Sequence, residues 1–504
     1  MILFSWIKDH KKEFLLILIL FVVAFFMRFW KIGDYVVFLG DEGRDMLVMK
    51  KMIIDKQITF LGPTASVGGF YLGPIYYWMA VPFLAIWRLN PVGPSYMVAI
   101  FGLLTVLLLY KFLKEITPSW AAFAASLLYA TAPLIVRYSR SSWNPNPLPF
   151  FSLLLIYFLY LGIKKQKLIY FLASGICLGF AIQLHYLALL LVGVSALVIF
   201  LNTKPKKWLA AAFVSFIGTI FAFSPFLLFE IRHNFPNFRT ILEFVTRGTT
   251  VGYHSVNFIW LISNGGNILL EEISKLKETS ITVLVFWFLT IAGIIGFIKN
   301  LQDEKKKLIF SIALIWFLGG LLSLRFYTGQ IFDYYFGFMF PAPFVLLGII
   351  FSLSKNKIWI AFSLIFTTVT LVWFLANGFY RTLPNRLINQ TERVADFVIE
   401  KSQGQPYNFA LIATHNSDHA YRYFLEVKNH KPHDLGTLVT DQLIVVCEEK
   451  KCAPLGHPLW EIAGFGRAEI VGEWHLENIG IKVFRLTHWP GAPSPAGKPA
   501  IKGG

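Results

Sequence analysis

Asp41 and Glu42 stand side by side in the run 38–45, Phe-Leu-Gly-Asp-Glu-Gly-Arg-Asp, just past an apolar stretch that ends near residue 30. Adjacent carboxylates are costly to desolvate at a membrane surface, so at a helix end they point to proton transfer, although an Asp-Glu pair is also common in water-facing loops. Arg44, in the same run, is a candidate ligand for an anionic group. Residues 68–78 read Gly-Gly-Phe-Tyr-Leu-Gly-Pro-Ile-Tyr-Tyr-Trp. The glycines permit tight turns, and Tyr76 and Tyr77 offer flat faces for a sugar or a prenyl chain, or else for an interfacial aromatic belt.

Three further patches carry cations. The run 137–147 brings Arg137, Arg140 and Asn144 into a proline-rich loop. The run 224–234 ends on Glu230, Arg232 and His233, which can bind a phosphodiester or close a helix end as a local ion pair. Arg325 precedes an Asp-Tyr-Tyr at 333–335 that includes Tyr334. His185, alone between apolar runs, reads as a core or hairpin-tip histidine rather than a catalyst. His415 and His419 have i, i+4 spacing without a third ligand, so no metal site is expected. No Walker loop and no dinucleotide fingerprint is present, which argues against a soluble nucleotide substrate.

The elements that must position these residues follow from composition. The 504 residues are 56% hydrophobic and only 15% charged, against about 25% charged for a soluble domain, which rules out a soluble enzyme. Apolar stretches recur near 14–30, 95–110, 119–136, 148–163, 168–184, 186–201, 208–229, 281–298, 308–324, 334–354 and 358–376, each about long enough to span a ~30 Å core. The uncharged run 168–201 must be two short crossings, split at residues 183–185. The resulting eleven crossings from an inside N-terminus put seventeen lysines, from Lys8 to Lys357, on one face, the positive-inside pattern. The apolar stretch 74–87 is then a re-entrant or interfacial segment of an outer loop, because a further crossing there would invert every later lysine cluster.

Arginine is distributed differently. Arg28, Arg44, Arg88, Arg137, Arg140, Arg232, Arg239, Arg247 and Arg325 all fall on the outer side. A planar, permanently charged fork suits phosphate recognition, so the outer face reads as an anion-handling face; anchoring of helix ends among headgroups is the alternative. The net charge of +17 is explained by this placement, and nucleic acid is not an expected partner.

From about 377 the composition becomes that of a soluble α/β unit, with strands expected at 409–413, 443–447, 468–473 and 481–486 and helices at 391–401 and 418–427. The division expected is a membrane module 1–376, an extracytoplasmic α/β domain 377–488 and a disordered tail 489–504. Cys447 and Cys452 would lie where a disulfide persists, and either a disulfide or two unpaired core cysteines fits the sequence.

The ordered set of an acidic pair in the first outer loop, Pro-Ile-Tyr-Tyr-Trp, Tyr-Ser-Arg after the third span and Asp-Tyr-Tyr before a late one resembles the GT-C membrane glycosyltransferases. Within them it is similar to the protein O-mannosyltransferase and aminoarabinose transferase group, glycosyltransferase family 39, over about residues 1–376. The resemblance implies a polytopic helical fold in a cell membrane and an inverting transfer of a sugar from a polyprenyl-phosphate donor to a lipid, glycan or protein acceptor on the outer face. It implies Asp41 as general base and Glu42 as its acidic partner. It names no resident cofactor and leaves a divalent cation open. The charged residue that often precedes the Pro-Leu-Tyr-Tyr-Trp of the group is replaced here by Tyr71-Leu72-Gly73. Arg137, Arg140, Arg232 and His233 are therefore the expected donor-phosphate ligands, on side and chemistry, with Arg44, Tyr76, Tyr77, Asn144, Arg325 and Tyr334 completing the substrate set. The rival readings are a transporter or flippase of a lipid-linked sugar, which would want polar residues at mid-span or paired broken helices, and an assembly protein, for which eleven spans are excessive.

Overall fold

The computed structural model describes residues 8–65, 68–246, 262, 279–300, 302–327, 331–491 and 496–499, and the chain divides into two compact units. One unit comprises Met1–Ile32, Ile58–Phe83 and Pro94–Leu383; the other comprises Gly33–Gln57, Leu84–Gly93 and Pro384–Gly504.

Every one of the eleven apolar stretches is helical in the first unit, as a single helix or as a broken pair. Five of the described helices are long and apolar enough to cross a membrane by themselves, and Asp333–Met339 with Ala342–Phe351, bent by 55°, makes a sixth. Shorter apolar helices complete the bundle, among them Leu168–Leu184 and Ile75–Ile86, the latter within the stretch expected to be re-entrant or interfacial. The break expected at 183–185 is present: Leu168–Leu184 ends at an extended His185, and a 3₁₀ turn, Tyr186–Leu189, leads into Leu190–Asn202. Another break follows from Pro133, which has no N–H to continue a helix, so Ser119–Thr131 and Pro133–Tyr138 meet at an extended Ala132.

Small residues set the helix spacing. A Cβ on Gly175 would lie 1.9 Å from the Ser215 carbonyl oxygen, and one on Gly218 would lie 2.3 Å from that of Leu172. Leu168–Leu184 and Pro205–Arg232 therefore pack backbone to backbone, as small-residue faces allow in lipid. Two arginines tie helix ends across the bundle. Arg28, on Lys11–Phe29, donates to the Ala130 carbonyl beside the Pro133 break, and Arg140 donates to the carbonyls of Met27 and Trp30 at the end of Lys11–Phe29. Each satisfies carbonyls that a helix terminus leaves without an N–H partner.

The second unit is built on a four-stranded sheet: β1 (Asn408–Ile412), β2 (Gln442–Cys447), β3 (Ala468–Leu476) and β4 (Ile481–His488), in the order β1-β2-β4-β3. β1 and β2 are parallel, joined through the helix His419–Val427, and the remaining pairs are antiparallel. β1 and β2 are buried along their whole length, which fits their unbroken apolar runs. Cys447 and Cys452 form a disulfide. Gly497 and Lys498, within the stretch expected to be a disordered tail, exchange backbone hydrogen bonds with Val439.

The compact unit also takes in Gly33–Gln57 and Leu84–Gly93, two pieces of the stretch between the first two apolar runs. Gly40–Ile54 is a helix that lies against His419–Val427 at very short range: a Cβ on Gly43 would meet the Ala420 nitrogen at 2.3 Å, and one on Gly40 the Ser417 Oγ at 1.8 Å. The contact continues through the ion pair Lys50–Glu426 at 3.0 Å and the rings of Tyr423 and Phe424 edge-on to Phe38.

Candidate active site

The acidic pair occupies the first turn of Gly40–Ile54, and one turn of helix separates the fates of its members. Glu42 is buried, and its Oε2 accepts a 3.0 Å hydrogen bond from the Leu39 N–H, half of a capping box. Burial pushes its carboxyl up to about 7, against the pull of that hydrogen bond, and the nearby Asp41 and Asp45 add to the rise. Asp41 points to solvent with 59% of its side chain exposed, and Arg44 Nη1 holds its Oδ1 at 3.0 Å. Arg44 also donates to Asp45 Oδ1 through Nε and Nη2, so one guanidinium bridges the two aspartates. The arrangement presents one accessible carboxylate of fixed direction, backed by a protonatable carboxyl in the interior.

The first unit gathers Arg137 and Tyr334 in a cluster formed by residues 137–143, 185–186 and 327–335. Arg137 Nη1 lies 3.8 Å from Asp333 Oδ2, both half exposed. Asp333 Oδ1 accepts from the Tyr138 hydroxyl at 2.5 Å and from the Tyr334 N–H at 2.9 Å. Tyr334 packs on Trp143, ring centres 4.4 Å apart, and edge-on to His185. The Tyr186 hydroxyl joins those of Tyr327 and Tyr335 at 3.0 and 3.2 Å. His185 is buried, with Nδ1 accepting from the Leu187 N–H and Nε2 without a partner among the described residues. This aromatic nest around an imidazole, and Asp333 as the anchor of Arg137, are what residue types alone did not point to. The one sequence signal was the conjunction of His185-Tyr186 with Asp333-Tyr334-Tyr335, which no local spacing connects.

Other candidates are committed to structure. Asn144 donates through Nδ2 to the Leu184 carbonyl at 2.6 Å, closing the end of Leu168–Leu184. Arg140 is buried on the Met27 and Trp30 carbonyls with its guanidinium 3.8 Å over the Phe379 ring. Tyr76 and Tyr77 are buried, and the Tyr76 hydroxyl pairs with Ser142 Oγ at 2.7 Å, tying 75–86 to the 137–147 loop. Their faces therefore serve internal packing.

Arg232 and Arg325 are exposed and make no hydrogen bond or ion pair among the described residues. His233 stacks on Phe229 and lies 2.8 Å by Nδ1 from the Phe229 carbonyl, which can only accept, so the imidazole presents Nε2 outward. Glu230 takes no part in an ion pair with Arg232: it is buried, accepts from Asn237 Nδ2 and the Phe238 N–H, and so caps the helix Pro236–Thr246. Arg247 lies outside the described residues. Among the described residues no group of three or more His, Cys, Asp or Glu is placed to hold a metal ion.

Residues 72–229 match the family described as dolichyl-phosphate-mannose-protein mannosyltransferase. Along almost its whole length the chain is similar to ArnT from Cupriavidus metallidurans: in the apo state with a TM-score of 0.60 and 12% identity, and bound to undecaprenyl phosphate with 0.57 and 14%, each covering 95% of this chain and 98% of that one. The chain has the ArnT fold, a multi-helical membrane fold of the GT-C type. The chain is also similar to the oligosaccharyltransferase AglB of Archaeoglobus fulgidus in complex with an inhibitory peptide and a dolichol-phosphate, with a TM-score of 0.51 and 13% identity over 87% of this chain and 70% of that one. By sequence, no curated protein matches it.

Proposed function

We propose that this chain is a glycosyltransferase that transfers a sugar from a polyprenyl phosphate, with inversion, to an acceptor on the outer face of the membrane, with Asp41 as the general base. Asp41 takes the proton of the acceptor O–H or N–H as that atom attacks the anomeric carbon. The bond from that carbon to the phosphate oxygen breaks, and polyprenyl phosphate departs with one more negative charge. Fixed cations then stabilise the leaving group, the preorganised electrostatic catalysis that a charge-developing step rewards. Arg137, Arg232 and His233 are the ligands we assign to the donor phosphate, with Arg325 and Tyr334 beside them in the substrate set. Arg140 and Asn144 brace the helix ends behind them, and Arg44 orients Asp41.

One observation carries the assignment of the base: Asp41 is exposed and held in direction by Arg44 while its neighbour Glu42 is turned inward. The outer location of the reaction rests on the lysine asymmetry, and the Cys447–Cys452 disulfide supports it, since such bridges persist in oxidising compartments. In this reading the N-terminus is cytoplasmic, and the unit that holds 384–504 is extracytoplasmic.

The test is to incubate purified protein in lipid vesicles with a panel of radiolabelled polyprenyl-phosphate sugars and a membrane extract as acceptor source. One label should move into a new glycoside of inverted anomeric configuration. Donor crossing the bilayer without any glycoside formed would replace this reading by that of a flippase.

A further inference from the structure

The helix that carries Asp41 is held at its first N–H by a residue nearly four hundred positions away. Gly40 N donates to Asn416 Oδ1 at 2.9 Å. That oxygen also accepts from the Ser417 N–H, while Asn416 Nδ2 donates to Glu448 Oε1 at 2.9 Å. The Tyr421 hydroxyl donates to the same Glu448 oxygen at 2.7 Å.

The order of these contacts fixes the amide. An asparagine side chain turned by half a revolution would set its NH₂ against the Gly40 and Ser417 N–H groups, donor against donor. Glu448 forbids that turn, because a carboxylate accepts and so requires the NH₂ on its own side. Asn416 and Glu448 come from adjacent segments for a topological reason. β1 and β2 are parallel neighbours with Ile412 opposite Cys447, so the loop 413–418 and residue 448 leave the same end of the sheet. The carboxyl ends of parallel strands are where such folds place working side chains. The Glu448 N–H bonds back to the Ile412 carbonyl, and the disulfide Cys447–Cys452 closes the short loop that begins with Glu448. Gly40 has no Cβ to keep Ser417 away.

We propose that Asn416, oriented by Glu448, is a positioning residue for Asp41, and that holding the acidic helix is a task of the C-terminal sheet. The proposal rests on the reading that Asp41 is the base. Asn416 touches the backbone one residue before Asp41, so its loss lets the first turn of the helix shift while the rest stays locked on Gly43 and Lys50. A misplacement on the scale of 1 Å at a reacting group costs on the order of 100-fold in rate.

The experiment uses the full-length protein in vesicles, the labelled donor that the wild type turns over, and undecaprenyl phosphate as the binding probe. Asn416→Ala should lower kcat by roughly 10- to 100-fold with undecaprenyl phosphate affinity unchanged. Asn416→Asp should also fall, because it sets a second carboxylate against Glu448. Asn416→Asp combined with Glu448→Gln should recover most of the rate, since the new amide can donate to the new carboxylate; a merely destabilising pair would add its losses. Wild-type kcat in Asn416→Ala, or a double variant no better than Asn416→Asp, would overturn the proposal. The Asp and Gln variants decide it alone if Asn416→Ala does not fold. Asp41→Asn is run alongside: full turnover there sinks the base itself, whereas a dead Asp41→Asn beside an unaffected Asn416→Ala sinks only the positioning role.

Discussion

At the scale of residues, one turn of helix gives two adjacent carboxylates opposite surroundings. Glu42 is buried on a cap and holds its proton more tightly in the folded chain, at about 7, than the ordinary value of 4.5. Between these values the folded state binds more protons than the unfolded one, so this group makes stability fall as pH rises from 4.5 to 7, by about 3 kcal/mol in all. Glu42→Gln should flatten that part of the pH dependence of thermal unfolding in detergent, and an unchanged slope would refute the burial argument. On the cationic side, Arg232→Ala should weaken undecaprenyl phosphate binding by roughly 10- to 150-fold, the worth of a charge-assisted contact of about 1.5–3 kcal/mol. Asp333→Asn should strengthen it modestly by releasing Arg137, and titration of the probe separates the two. The acidic pair and the arginines stood out in the sequence by residue type alone. That Arg140 and Asn144 close helix ends did not, because their carbonyl partners lie 110 and 40 residues away.

At the scale of elements, the apolar periods foretold the helices, the break at 183–185 and all four strands. Composition did not foretell that Gly40–Ile54 belongs with the C-terminal sheet, where Gly40 and Gly43 serve as the contact face. Gly43→Ala puts a Cβ 2.3 Å from a backbone nitrogen and should destabilise by about 1–3 kcal/mol, as overpacking does. Gly69→Ala meets no atom within 4 Å, yet its φ of 68° is left-handed, and the strain should cost about 1–2 kcal/mol. Thermal unfolding of the two variants gives both values. Loss of transfer beyond loss of folded protein is expected only for Gly43→Ala, since only that glycine positions the Asp41 helix.

At the scale of the whole molecule, the proposed topology puts seventeen lysines on one side and nine arginines, from Arg28 to Arg325, on the other. Protease added to the outer side of sealed cells should remove the unit that holds residues 384–504 and leave the lysines at 305–307 protected; the reverse pattern would invert the topology. That expectation rests on the positive-inside rule, which acts on charges that any sequence displays. The partners of the candidate residues were not readable in this way, because within one unit the helix of Asp41 packs on His419–Val427 and within the other Arg137 meets Asp333, and neither pairing is local in sequence.

The central claim is that Asp41 removes the acceptor proton in an inverting sugar transfer. Its most direct test is a single-turnover measurement with wild type and Asp41→Asn, each saturated with labelled donor. Asn keeps the shape of the side chain and cannot take a proton, so the rate of glycoside formation should fall by about 10²–10⁴-fold, with donor binding intact. Glycoside formed by Asp41→Asn at the wild-type rate would contradict the account.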